Sequence, residues 1–280
     1  VRCLDEPSDP ISACMYEASS LASENVKVVL GGDGGDELFA GFDRYAGFRW
    51  VDLYAKLPRW LREDVIRPMT GHLPESFAYK SWTQKARWLS EVGVPDTGGG
   101  RYARMTSFFR FGPEERAEAY GPRLRAGLTE AKAEEAIARP FDGAPAESNL
   151  NRMLYADSVT RLPEHTLMLT DRLSMAHGLE TRAPLLDHEL AEFCATMPPD
   201  LKIKRGTTKY AMREVSKDWL PEAILERPKQ GFMFPVAYWL NEDTLPGITE
   251  RLLEGPLVEG GWIRGEAIEK IAAEHLEKRV

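Results

Sequence analysis

The stretch VKVVLGGDGGDELFAG, residues 26–41, sets the expected fold of this chain. Its first part, Val26–Leu30, is apolar and rich in β-branched residues, which predicts a buried strand of the α/β kind. Glycines then permit a tight turn, and Asp33, Asp36 and Glu37 stand at the start of the following helix. Helix capping explains one such acid but not three, because neighbouring carboxylates repel each other unless a cation offsets them. The pattern favours a Mg–phosphate site at the carboxyl end of a parallel strand, with a capped glycine turn as the alternative.

The composition limits the class of protein. The chain has 280 residues, 43% of them hydrophobic, which is enough to bury a sizeable core. Its 36 basic and 44 acidic residues give a formal net charge of -8, so neither a nucleic-acid nor a membrane partner is expected. The 3 cysteines are scattered, which favours a reduced, cytoplasmic protein over a disulfide framework. No apolar run approaches the roughly 18 residues that a membrane span needs.

Helical patterns surround the opening stretch. Ile11–Ala22 predicts a helix that leads into the strand, and beyond Gly41 apolar and charged residues alternate at helical spacing. The expected helical segments there are Trp50–Leu57, Trp60–Met69, Tyr79–Leu89 and Tyr102–Phe109. Their large aromatic residues are expected in the core: Trp50, Trp60, Trp82, Trp88, Phe108 and Phe109. Two glycine- and proline-rich segments, 93–100 and 127–148, are predicted to be surface connections, the second with room for a short helix.

The second half of the chain carries three further motifs. Apolar helices are predicted over residues 149–175, and they run into a charged stretch, Asp171–Asp187. This stretch suits either a structural ion-pair network or a substrate-binding role. A concentrated basic patch follows at Lys202–Lys209. In Arg227–Phe232, a proline and a glycine bracket Lys229, and a lysine fixed in this way suits phosphate charge.

Three of these motifs, in this order and spacing, resemble the synthetase domain of glutamine-dependent asparagine synthetases: Gly32–Phe39, Asp171–Asp187 and Arg227–Phe232. The resemblance spans nearly all 280 residues and implies one synthetase domain over 1–280. It implies an α/β, predominantly helical fold, a partial adenine-nucleotide α-hydrolase-like (pyrophosphatase-loop ATPase) domain with few parallel strands. The implied cofactors are ATP and Mg. The implied reaction amidates aspartate to asparagine through β-aspartyl-AMP, with ammonia derived from glutamine.

The resemblance also implies roles for individual residues. Asp36 helps to hold Mg and pyrophosphate, with Glu37 close by. Asp33 stands at the position of the base that removes a proton from the attacking ammonia. Lys229 contacts the phosphates and stabilises the transition state of adenylation, and Lys209 assists it. Two glycines complete the expected cofactor-binding set: Gly31 and Gly32.

This sequence departs from the family pattern in several places, and these departures change what we expect the chain to do by itself. Family members carry a Ser-Gly-Gly-x-Asp-Ser pyrophosphate loop and an N-terminal glutaminase domain, and neither occurs in this sequence. The chain is therefore expected to be a fragment that is inactive alone and takes ammonia from a missing glutaminase domain, with a homodimer as one compatible assembly. Gly31 and Phe42 replace a serine and a tyrosine common in the family. The same adenylating chemistry on another carboxylate, in a cell-surface sugar, a peptide or a β-lactam precursor, is the alternative function.

Unrelated families explain the acidic loop less well. The GGDEL sequence also resembles diguanylate cyclases, but there a strand follows it, and Phe39–Asp43 lacks the alternation of a strand. An EF-hand fails because Gly35 and Glu37 occupy positions that require Asp or Asn. A non-enzymatic helical module with a degenerate loop would bind no nucleotide.

Overall fold

The computed structural model of the chain describes residues 2–5, 9–73, 81–106, 113–128, 133–227 and 236–277. The two strands within these ranges are β1 (Val28–Leu30) and β2 (Glu180–Arg182). The α-helices in the same ranges are α1 (Ile11–Ser23), α2 (Gly35–Phe39), α3 (Asp43–Tyr54), α4 (Arg67–Gly71), α5 (Trp82–Val92), α6 (Gly98–Thr106), α7 (Pro113–Ala119), α8 (Pro122–Gly127), α9 (Ala133–Asp142), α10 (Asn149–Val159), α11 (Met168–Met175), α12 (His188–Thr196), α13 (Pro199–Lys202), α14 (Tyr210–Val215), α15 (Glu222–Leu225), α16 (Val236–Trp239), α17 (Leu245–Leu253), α18 (Pro256–Glu259) and α19 (Gly265–Glu277). Short π-helical segments span Leu61–Ile66 and Leu162–Leu167, and 3-10 turns span Pro184–Leu186 and Ser216–Asp218. None of the helices so described is both long and apolar enough to cross a membrane.

The two strands pair in parallel, as expected for an α/β crossover. The register runs from Val28 opposite Glu180 to Leu30 opposite Arg182. Helix α1, which precedes β1, packs along α11, which precedes β2. The prediction of an α/β, predominantly helical fold with few parallel strands is confirmed, and its finer assignment to a nucleotide α-hydrolase-like fold stays a prediction.

Strand β1 differs from the predicted strand in length and burial. It covers Val28–Leu30 rather than Val26–Leu30, and the side chains of Val28 and Leu30 are exposed, Leu30 by 75%. Successive side chains of a strand point to opposite faces of the sheet. Within the described residues, nothing covers the face that carries Val28 and Leu30. The expectation of a buried strand is therefore wrong for this part of the chain.

One compact unit contains residues 1–53, 97–102 and 136–234. At its centre the short helix α2 packs against α10, α12 and α14. Leu38 and Phe39 of α2 form a buried apolar cluster with Cys194 of α12 and with Met197, which follows α12. This burial fixes the acidic loop, which leads into α2, against helices from the second half of the chain.

A buried network of polar side chains supports the same unit. Asp157 in α10 is 0% exposed and accepts hydrogen bonds from the Tyr102 hydroxyl at 2.7 Å and from the Tyr45 hydroxyl. Its carboxylate also pairs with the Arg44 guanidinium at 2.7 Å. The Arg44 guanidinium carbon in turn lies 4.1 Å from the centroid of the Phe42 ring. The buried charge is thus fully partnered, and it ties the beginning of α3 to α10.

The second compact unit contains residues 54–96, 103–135 and 235–280. Helices α17 and α19 pack against each other in it, and α19 also contacts α7. An isolated antiparallel bridge joins Tyr120 to Ile263, and Lys270 pairs with Glu118 at 2.7 Å. Within this unit, the C-terminal helices are thereby connected to the segment around α7 and α8.

Several aromatic residues expected in the core are exposed. The exposed side chains are Trp50, Trp60 and Trp82. Trp88 is half-buried, and two of the six, Phe108 and Phe109, lie outside the described residues. An amphipathic helix buries only one of its faces. Residue type alone predicted burial here, and it does not reveal which face a tryptophan occupies.

The glycine-rich segment before α6 is partly helical rather than a surface connection. Its consecutive glycines form the first turn of α6, where the Gly99 N–H donates to Asp142 Oδ1 at 3.1 Å and the Gly100 N–H donates to Thr97 Oγ1 at 3.0 Å. Asp142 ends α9, which lies in the second predicted connection, and Phe141 beside it is buried. The first segment differs from the prediction because the Gly99 amide has its partner in Asp142, 43 residues away, which no local pattern reveals. The second segment contains the short helix for which its sequence left room.

The charged stretch at residues 171–187 does not form a buried ion-pair network. Arg182 pairs with Glu180, and Arg172 pairs with Asp5 at 3.8 Å, but all four side chains are exposed. Asp187 caps α12 by accepting hydrogen bonds from the first backbone amides of that helix. Because these charges remain in water, they need no buried partners, and the network interpretation is wrong in that form.

Candidate active site

Backbone geometry positions the acidic loop at the carboxyl end of β1. The Gly31 N–H donates to the Arg182 carbonyl at 2.7 Å and so continues the β1–β2 ladder by one residue. Gly34 has a φ of 83°, in the left-handed region, and a Cβ at this position would collide with Leu186. Only glycine satisfies both conditions, and α2 begins at the next residue, Gly35. Close packing thus explains one glycine of the motif without any ligand.

Asp36 is the acidic loop residue whose carboxylate contacts a lysine side chain. Its Oδ1 lies 2.7 Å from Lys209 Nζ, and both side chains are partly buried. The backbone N–H of Lys209 donates to the Phe39 carbonyl at 3.1 Å, which anchors this lysine to the end of α2. At Gly41 a Cβ would collide with the Asp36 carboxylate and the Lys209 stem. The structure therefore brings together a carboxylate and an ammonium group from distant parts of the chain.

Asp33 is half-buried between β1 and α2. Burial raises the pKa of its carboxyl group, and the side chain of Thr170 acts in the opposite direction. A carboxylate with a raised pKa holds a proton more tightly than an exposed aspartate does. Asp33 can therefore accept a proton from a reacting group more readily than a fully solvated carboxylate can.

Glu37 occupies a different environment from its neighbour Asp36. Its side chain is only 2% exposed, and burial raises the pKa of its carboxyl group. It lines a cavity together with Asn151 and Lys202, and neither Asp36 nor Lys209 is among the lining residues. Consecutive helical residues point about 100° apart, which explains the separation. The structure does not bring Glu37 to the Asp36–Lys209 pair.

The other predicted site residues have mixed outcomes. Lys229 lies outside the described residues, so its phosphate contact stays a prediction. Gly32 is exposed, and nothing lies within 4 Å of a Cβ built there, so a ligand could approach its backbone. The predicted basic patch separates: Lys209 reaches Asp36, Lys204 is exposed, and Lys202 is buried.

Sequence reasoning missed the residues that surround Phe42, beside the acidic loop. The guanidinium carbon of Arg161 lies 5.2 Å from the centroid of the Phe42 ring, which Arg44 also covers. No local motif marks this cluster, because its members come from separate segments. One signal was available: Asp157 is an acid within an apolar helical pattern, and such an acid needs a buried partner.

The donor set around Asp36 fits a phosphate-bound cation rather than a metal held by protein alone. No group of three or more His, Cys, Asp or Glu side chains suited to a metal occurs in the part of the chain that the structure describes. Mg²⁺ commonly binds one or two carboxylates and takes its remaining ligands from phosphate and water. Asp36 is one carboxylate of this kind, and the Lys209 ammonium group lies beside it.

Comparison with known proteins gives consistent matches. A family profile described as asparagine synthase matches residues 1–280. The chain is 28% identical over 240 residues to the glutamine-hydrolyzing asparagine synthetase 1 of Bacillus subtilis (strain 168), a match over 85% of this chain and 36% of the relative. It is 31% identical over 243 residues to a putative glutamine-hydrolyzing asparagine synthetase of Mycobacterium bovis, over 86% of this chain and 35% of the relative. The Mus musculus glutamine-hydrolyzing asparagine synthetase is 44% identical over 69 residues, 24% of this chain and 12% of the relative.

These matches agree with the motifs quoted from the sequence. The chain spans about a third of the length of the first two relatives. The family profile nevertheless covers it from end to end, including the loop, the charged stretch and the lysine motif. This coverage confirms the resemblance inferred from the sequence: the chain belongs to the asparagine synthase family.

Proposed function

We propose that this chain forms part of a ligase that uses ATP to amidate aspartate to asparagine through β-aspartyl-AMP, with ammonia derived from glutamine. The single observation that carries the proposal is the Asp36–Lys209 pair beside the loop at the carboxyl end of β1. Open α/β sheets bind their ligands at this edge. ATP bound with Mg would supply an adenylyl group and a pyrophosphate leaving group.

Asp36 and Lys209 form the phosphate side of the proposed site. Asp36 would hold Mg, and Lys209 would neutralise charge on the phosphate oxygens. The two groups lie 2.7 Å apart, so the loop holds both charges at one place, and Mg and phosphate oxygens would replace their direct contact. The backbone of Gly31 and Gly32 would approach the phosphates, and Lys229 would add a further contact, as the family resemblance implies.

Asp33 provides the base for the second half of the reaction. Its carboxylate would take a proton from ammonia as the nitrogen attacks the β-carbonyl carbon of aspartyl-AMP, and the bond from that carbon to the phosphate oxygen breaks to release AMP. Burial, which raises the pKa of Asp33, makes the carboxylate a better proton acceptor than an exposed aspartate. Adenylation itself transfers no proton to this residue, so the two half-reactions depend on different carboxylates.

The test compares two isosteric variants in the full polypeptide that carries this chain. In Asp36→Asn, aspartate-dependent ATP–pyrophosphate exchange should fall by about 100-fold, the usual loss for one electrostatic group. Asp33→Asn should retain exchange but lose asparagine formation from ammonium. Asp200→Asn is the matched control, because Asp200 is exposed in α13 and should leave both rates unchanged.

Three results would contradict parts of this proposal. Unchanged exchange in Asp36→Asn would remove Asp36 from adenylation, and equal loss of both half-reactions in Asp33→Asn would assign Asp33 to nucleotide or metal binding. Exchange that depends on a sugar, a peptide carboxylate or a β-lactam precursor, but not on aspartate, would assign a different acceptor. We expect the 280-residue chain alone to make no asparagine, because its sequence contains no Ser-Gly-Gly-x-Asp-Ser loop.

A further inference from the structure

A cavity of about 360 Å³ lies on the Glu37 side of α2. Residues from α2, α10, α12 and α13 line it, among them Glu37, Leu38, Asn151, Leu154, Cys194 and Lys202. Its volume lies near the lower end of the roughly 300–1,000 Å³ found for small-molecule sites. The walls are mainly apolar, and two ionisable groups of opposite charge type stand in them. The cavity therefore has the size and chemistry of a site for a small ligand.

Lys202 supplies the positive group of this cavity. The side chain is 2% exposed, and its Nζ donates to Asn151 Oδ1 at 3.0 Å. Burial lowers the pKa of Lys202 to about 8, so the ammonium group remains mostly charged at neutral pH. An ammonium group has three N–H donors, and Asn151 takes one of them. The Asn151 amide keeps its own NH2 group as a donor, which makes this end of the cavity suited to an anion.

Glu37 supplies the acidic group. Like Lys202 it is 2% exposed, but the two form no ion pair. Among the described residues, no basic group lies within 4.0 Å of the Glu37 carboxylate. Buried charges that only stabilise a fold usually pair directly, because an unpaired one is costly to desolvate. Separate groups that share one cavity instead suit a ligand that carries both charges.

We propose that this cavity binds a small α-amino acid, with its carboxylate on Lys202 and Asn151, its ammonium on Glu37, and its side chain against the apolar walls. A zwitterion places an opposite charge beside each buried group and adds no net charge to the interior. A simple anion or cation would place an opposite charge beside only one of the two groups. This site is distinct from the Asp36–Lys209 pair, and the proposal does not depend on the reaction proposed above.

The test is isothermal titration calorimetry of the full chain with a panel of the standard L-amino acids. We expect at least one to bind, and its two truncated analogues, which lack the amino or the carboxylate group, to bind at least tenfold more weakly. For L-alanine these analogues are propionate and ethylamine. This comparison uses the unaltered protein, so it holds whether or not a variant folds.

Two variants assign the binding to the cavity. Lys202→Met and Glu37→Gln preserve side-chain volume, and each should weaken binding at least tenfold. The matched controls are Lys204→Met and Glu189→Gln, both at exposed positions, and they should bind as the unaltered chain does. An amino acid held at another site would still bind to Lys202→Met with unchanged affinity. That result would overturn the proposal, and so would equal binding of a truncated analogue. No binding by any amino acid would also overturn it, because the cavity would then hold only water.

Discussion

Replacing Lys202 with methionine should change how the stability of the fold depends on pH. The side chain is 2% exposed, and burial lowers its pKa from 10.5 to about 8. Methionine has a similar volume and no charge, so Lys202→Met removes the titrating group while the packing stays close to that of the unaltered chain. The informative quantity is the difference in unfolding free energy between the two proteins, since all other titrating groups are common to both.

The expected size follows from linkage between protonation and folding. The difference between the two pKa values, about 2.5, corresponds to about 3.5 kcal/mol at roughly 1.4 kcal/mol per pKa unit. Below pH 8 both folded and unfolded chains hold the proton, and the cost of burying the ammonium is fully present. Between about pH 8 and 10.5 the folded chain has released the proton and the unfolded chain has not, so stability rises with pH. The unaltered chain should gain about 3.5 kcal/mol relative to Lys202→Met across this interval, most of it by pH 10.

Equilibrium unfolding in urea, followed by circular dichroism from about pH 7 to pH 10, measures this difference. Lys204→Met is the control, because it makes the same substitution at an exposed position two residues away. Parallel stability curves for Lys202→Met and the unaltered chain would refute the reasoning, since they would show that Lys202 titrates alike in the folded and unfolded states.

Two further substitutions test the packing around α2. Gly34→Ala should destabilise the fold by about 1–3 kcal/mol more than Gly206→Ala in urea unfolding, because both have φ near 85° but only at Gly34 would the new methyl collide, with Leu186; equal losses would contradict the collision. Asp157→Asn should cost about 3–5 kcal/mol by the same measurement, because it leaves the half-buried Arg44 guanidinium without its counter-charge. A loss below about 1 kcal/mol would show that this network contributes little to stability.

The sequence predicted the fold best where a local residue pattern is enough to determine the backbone conformation. The apolar run before Gly31 predicted a strand, and the glycines after it predicted the turn into α2. The position of the acidic loop at the carboxyl end of a parallel strand also follows from that pattern. The partner strand β2 could not be predicted in the same way, because its sequence, Glu180–Arg182, is short and charged, and its pairing depends on a segment far away in the chain.

Burial was the property that local pattern predicted least well. Trp60 and Leu30 were expected in the core and are exposed, while Lys202 was assigned to a basic patch and is buried. The type of side chain sets the average tendency to be buried, but whether a given side chain is buried depends on which distant helices pack against it. The same limit applies to the candidate site: Glu37 was expected close to Asp36 beside the phosphates, but its side chain lines the cavity formed with α10 and α13.

The pairing of Asp36 with Lys209 has a consequence for how the protein is made. Lys209 follows Asp36 late in the chain, and its backbone bond to Phe39 closes the end of α2. Ribosomes add roughly 5–20 residues per second, so about ten seconds or more pass between the synthesis of these two residues. During that interval the acidic loop has emerged without its lysine, and the apolar residues of α2 have no α12 or α14 to cover them. A chaperone that binds nascent chains would therefore have access to the exposed apolar residues of α2 before α12 and α14 are synthesised and can cover them.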